Sequence, residues 1–186
     1  MFILGQVVLI FLVLSLVLKY RNIEINRNFY LLVPLFIYYL SGGTNLNKEI
    51  RIIEFSVLLL IAYSDFKTHY IEVIDVFILF VVEFIFKIKF GQDIIISLKV
   101  AFLILVIYFF IYKFTKSLGE GDLYLGFVSG FFAKSLYEGF LIFRNTYFIG
   151  AIVSLILLSL KLKTPKDEIA FCPYMAMSII VVILCY

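Results

Sequence analysis

The chain has no tryptophan, a single histidine and two cysteines, and only 16% of its 186 residues are charged. Each shortage closes off a class of function. His69 stands alone and no Cys-x-x-Cys pair occurs, so no recognisable zinc-binding spacing is present. Cys172 and Cys185 are thirteen positions apart on one expected helix. At about 1.5 Å per residue they would sit roughly 20 Å apart, too far to bridge each other. A net charge of +3, spread between apolar runs, is too small to argue for nucleic acid. Residues 1–18 are apolar from the start and lack the basic segment that opens a secretory leader, so they read as a retained helix.

What is present is apolar. Hydrophobic residues make up 64% of the chain, against roughly 45–50% in soluble domains, and the mean hydropathy is +1.11. Twenty-two Phe and thirteen Tyr suit lipid-facing surfaces and interfacial belts. A membrane span needs about 20 mostly apolar residues. Eight segments meet or approach that length: 2–18, 29–43 (short, and weakened by Pro34), 50–64, 71–90, 94–114, 122–143, 147–162 and 169–186. No connection is long enough for a soluble domain. The expected fold is therefore an all-α polytopic membrane protein, a single integral-membrane domain over 1–186. It is a bundle of about eight transmembrane helices with short loops.

Basic residues suggest an orientation. With the amino terminus outside, the cytoplasmic loops hold nine: Lys19, Arg21, Arg27, Lys67, Lys113, Lys116, Lys161, Lys163 and Lys166. The opposite side holds five: Lys48, Arg51, Lys87, Lys89 and Arg144. Lys99 and Lys134 fall within spans and count for neither side.

One polar stretch, Gly119-Glu120-Gly121-Asp122, lies between two uncharged apolar runs, 100–112 and 123–133. An ionisable residue inside or at the edge of a span is costly and marks a functional hypothesis. Asp65 also closes a long apolar run. Two complete spans separate the acids, so both face the same side of the membrane. Two carboxylates held close together cannot both ionise easily and share a proton near neutrality. One can then activate water while the other polarises a peptide carbonyl. Taken singly, each acid has a plainer reading: Asp122 as a helix cap, Asp65 as a boundary with water.

The stretch Gly119-Glu120-Gly121-Asp122, followed by Leu125, resembles the Gly-x-Gly-Asp signature of the prepilin peptidases, aspartic proteases of type IV pilin-like secretion. The segment from Tyr63 through Asp65, Lys67 and His69 to Ile71 is similar to that family's first motif, a catalytic Asp followed by a basic residue. The segment Ile169-Ala170-Phe171-Cys172-Pro173-Tyr174 resembles a Pro-Phe-Gly-Pro-Tyr-type stretch near the family's carboxyl end. The resemblance covers 50–186, leaving 1–49 as two additional amino-terminal spans. It implies Asp65 and Asp122 as catalytic residues, supported by Gly119, Gly121, Lys67 and Pro173, with no metal or organic cofactor. It implies a prepilin or pseudopilin substrate, cut between a basic leader and a hydrophobic helix at the cytoplasmic face of the cell membrane. Larger relatives carry a cysteine-bearing domain associated with methylation. Without it, this chain is expected to cleave without methylating. Glu72 and Val73 depart from the first motif, Tyr124 replaces a usual Lys, and Ala170 and Cys172 replace a Pro and a Gly. A presenilin-type Gly-x-Gly-Asp protease and a catalytically silent scaffold or ion-coupled carrier remain as alternatives.

The other polar residues read as structure. Glu83 with Lys87, and Lys134 with Glu138, are spaced as stabilising i,i+4 pairs. Glu72 and Asp75 read as boundary acids, or else as residues that shape the dyad or grip a basic leader. His69 reads as interfacial. Gly126 and Gly130 form a Gly-x-x-x-Gly spacing expected to bring the sixth span close to the third.

Overall fold

The structure, a computed structural model, describes residues 46–115, 118–164, 167 and 169–185, with Lys19 besides. The two amino-terminal spans expected over 2–18 and 29–43, and Lys116, lie outside the described residues. The described residues are helical throughout their regular structure and contain no strand. They form six helices: α1 (Leu46–Thr68), α2 (Val73–Lys89), α3 (Ile94–Thr115), α4 (Glu120–Phe132), α5 (Leu136–Ser159) and α6 (Cys172–Cys185). Two of them, α3 and α5, are long and apolar enough to cross a membrane. Phe102, Phe109 and Phe110 on α3, and Phe148, Leu155 and Ile156 on α5, are large apolar side chains left exposed. Such apolar faces mark a membrane or partner surface rather than a solvated one.

The chain divides into two compact units, residues 1–60 and 61–186. In the first, the described part is Lys19 and the opening of α1, where Arg51 and Glu54 pair at 2.5 Å, one helical turn apart. The second unit holds the end of α1 and all the other helices.

Within residues 61–186 the shortest helix is the central one. α4 touches α2, α3, α5 and α6, and its Leu125, Val128, Phe131 and Phe132 are buried. Thirteen residues span only about 20 Å, less than the roughly 30 Å of a bilayer core. Two rings tie it to its neighbours, Phe131 at 4.8 Å from Phe80 and Phe127 at 5.4 Å from Phe102. Gly130 lets α3 come close, since a Cβ there would lie 2.7 Å from the Cα of Ala101. At Gly126 it would lie 2.7 Å from the ring of Tyr108. The Gly-x-x-x-Gly spacing thus serves α3, the expected fifth span, and not the third span as the sequence suggested.

Local chemistry sets the helix ends. Asp93 Oδ1 accepts from the amides of Ile95 and Ile96 at 2.9 and 3.1 Å, capping α3. α2 stops at Gly91, whose φ of 61° allows the chain to reverse. The expected span over 122–143 is corrected here: the chain breaks at Ala133–Ser135, and a new helix runs straight through Arg144 and Asn145. Ser135 takes the Glu138 amide on its side chain at 3.2 Å, while the Glu138 carboxylate takes the Lys134 amide at 2.8 Å. These bonds satisfy donors that a helix start leaves without intrahelical partners. The contact between Lys134 and Glu138 is thus a backbone cap. Arg144, expected in a loop, lies in α5 with its guanidinium on the Asn145 side chain.

Candidate active site

The first carboxylate lies in the last turn of α1. Asp65 is only 6% exposed. Just beyond it the helix ends at His69, whose φ of 52° reverses the chain and whose N–H donates to the Asp65 carbonyl at 2.8 Å. Thr68 closes the same turn by donating to the Ser64 carbonyl at 2.8 Å. His69 is exposed, with its side chain in charge range of Asp65. Lys67 is exposed and forms no hydrogen bond or ion pair with either acid.

The second carboxylate opens α4. Gly119 is the extended residue before the helix, and its N–H donates to Asp122 Oδ2 at 2.8 Å. Asp122 is therefore folded back over its own helix start, where aligned peptide dipoles favour negative charge. It is 7% exposed. Gly121 has a separate steric role. A Cβ there would lie 2.7 Å from Ile71 Cδ1 and 2.8 Å from Ile71 Cβ, so the segment after α1 can close over α4 only because residue 121 lacks a side chain.

A third helix start completes the site. The Phe171 carbonyl accepts from Tyr174 and Met175, so α6 begins at Cys172 with Pro173 second. Proline suits that first turn because it needs no donor there. The Cys172 amide has no intrahelical acceptor and donates instead to Asp65 Oδ2 at 3.0 Å. Its thiol donates to Asp122 Oδ1 at 3.3 Å, and the side chain also touches the Asp65 carboxylate. Cys172 is fully buried, so one residue grips both acids. The two carboxylates lie within range of mutual repulsion.

Around this point packs an aromatic wall. Phe171 meets Tyr147 at 5.3 Å and Tyr108 at 6.2 Å, and Tyr147 meets Phe143 at 4.8 Å. Of the residues singled out in the sequence, Asp65, Asp122, Gly119, Gly121 and Pro173 gather here, whereas Lys67 does not. Asp75 is buried at 4% exposure, and Glu72 precedes α2 without a side-chain capping bond. In the sequence Cys172 has no site role, standing as one of two unbridged cysteines and a departure from a motif, and Tyr147 shows only as the start of a span. Both cysteines are free thiols. Among the described residues, no group of three or more His, Cys, Asp or Glu side chains is placed to hold a metal ion.

No family model, no curated protein and no solved structure matches this chain.

Proposed function

We propose that the protein is a membrane-embedded aspartyl endopeptidase resembling the prepilin peptidases. In this reading about eight spans cross the cell membrane, with the acids at the cytoplasmic face. The substrate is a prepilin or pseudopilin precursor, cut between its basic leader and its hydrophobic helix. One observation carries the reading: the buried carboxylates of Asp65 and Asp122, from distant parts of the chain, are both held by Cys172. A cap or a boundary acid has no need of a second acid beside it, and burying two like charges together is costly.

The chemistry follows from one proton shared between two carboxylates. The ionised one takes a proton from water as the water oxygen bonds to the peptide carbonyl carbon. The protonated one gives its proton to the carbonyl oxygen, yielding a neutral tetrahedral intermediate. The carboxyl regenerated by the first transfer then protonates the amide nitrogen, the C–N bond breaks, and the gem-diol returns a proton to the other carboxylate. Donors from Gly119 and Cys172 hold the acids in place and spare the reorganisation water would require.

The test is co-expression with a leader-bearing pilin-like precursor. The wild-type chain should produce the shorter band, and Asp65→Asn and Asp122→Asn should each abolish it while inserting normally. General acid–base catalysis is worth about 10²–10⁴-fold, enough to remove the band. Uncleaved precursors of every pilin-like type would favour the scaffold or carrier alternative. Cleavage inside a transmembrane helix would favour the presenilin-type one.

A further inference from the structure

The hydroxyl of Tyr147 is a buried polar group with no hydrogen-bond partner among the described residues. Leaving such a group unsatisfied costs about 1–3 kcal/mol, and a native structure that retains one calls for a reason. Its neighbour supplies a contrast. Tyr108 is 1% exposed, and its hydroxyl is met by the side chain of Thr146. Tyr147 comes from the next position on the same helix, yet its oxygen meets no partner among the described residues.

The place of that oxygen matters. The Tyr147 ring is fixed by Phe143 at 4.8 Å, Phe171 at 5.3 Å and Tyr108 at 6.2 Å. Phe171 immediately precedes the residue that bonds to both carboxylates. The Tyr147 hydroxyl lies in charge range of Asp122 without bonding to it. A donor and a carboxylate in charge range of each other and not bonded together are both available to one group bound between them.

We infer that Tyr147 is a further catalytic residue, whose O–H donates a hydrogen bond to the scissile carbonyl oxygen opposite the carboxylic acid of the dyad. The inference rests on the protease reading above. As the water oxygen bonds to the carbonyl carbon, the π electrons move onto the carbonyl oxygen, which takes its proton from the dyad. Tyr147 keeps its own proton throughout and strengthens its bond only as charge develops. That is the kind of contact that raises kcat rather than lowering KM.

The experiment uses the full-length protein in liposomes with a leader-bearing precursor peptide. Tyr147→Phe keeps the ring and its three aromatic neighbours, so a purely packing role would leave the kinetics unchanged. The expected result is a kcat about 10²-fold lower, with KM and melting temperature held. A second variant carries 3-fluorotyrosine at position 147, which retains a hydroxyl donor, and it should recover most of the lost rate. A statine-type peptide, whose hydroxyl stands in for the tetrahedral oxygen, should bind more weakly to Tyr147→Phe by the same factor. An unchanged kcat in Tyr147→Phe, or an equal loss in the fluorotyrosine variant, would overturn the inference and leave the protease reading intact. No cleavage by the wild-type chain would instead remove the reading itself.

Discussion

Glu83 with Lys87 and Asp65 with Asp122 are both buried pairs of charged side chains within residues 61–186, and they are built in opposite ways. Glu83 and Lys87 are fully buried, 3.2 Å apart and one turn apart on α2. Lys87 also donates to Gln92 at 3.2 Å and sits 5.5 Å from the centre of the Phe131 ring. Each charge there is answered by its opposite. Asp65 and Asp122 carry like charges, come from separate helices and are answered by amides and a thiol. A pair of opposite charges settles into one protonation state, whereas two neighbouring carboxylates readily exchange a proton. The first pair suits holding α2 against α4, and the second suits chemistry.

Double substitutions separate the two designs. In the dyad, each single Asn change should remove cleavage by at least about 10²-fold. The double change should be no worse, because members of one catalytic unit are strongly non-additive. Stability should barely move in the singles, since removing one of two crowded carboxylates relieves repulsion. In the ion pair the pattern reverses. Lys87→Met alone removes the cation beside a buried carboxylate and should cost about 3–5 kcal/mol in unfolding experiments in detergent. Adding Glu83→Gln should restore most of that loss. If the dyad variants behaved like the ion pair, losing stability singly and regaining it together, the contrast would collapse.

Smaller effects sharpen it. Cys172→Ala removes the thiol donor to Asp122 but leaves the backbone donor to Asp65. One neutral hydrogen bond is worth about 0.5–1.5 kcal/mol, so a rate loss of up to about tenfold is expected. Cys172→Ser, which keeps a donor, should lose less. The smallest effect concerns an exposed acid. Asp167 takes the Thr164 amide at 2.6 Å, which holds its carboxyl below the usual carboxylate range. A depressed folded value means that this bond contributes above the unfolded pKa and is lost as pH falls through the folded one. The Thr164 amide resonance should therefore shift only on strong acidification, and Asp167→Asn should leave cleavage unchanged.

The two acids were legible because each breaks an apolar run, and the structure brings both to Cys172. The helix ends were less legible. Ser135 and Glu138 carry the spacing of a capping box, yet the apolar residues on both sides hid the break. Arg144 and Asn145 looked like a loop because hydropathy counts their charge and polarity, not the bond by which they satisfy each other on the surface of α5. Cys172 and Tyr147 were hidden for a different reason. A thiol and a phenol pass for apolar residues in a membrane chain, and only the fold brings them to the carboxylates.

The most direct measurement is hydrolysis in ¹⁸O-labelled water by the purified protein in liposomes, with a leader-bearing precursor and a metal chelator. The account predicts that the released leader carries one ¹⁸O in its new carboxyl terminus. It also predicts that both Asp65→Asn and Asp122→Asn stop the release. Release of the leader by either variant, or no release by the wild-type chain from any leader-bearing precursor, would contradict it.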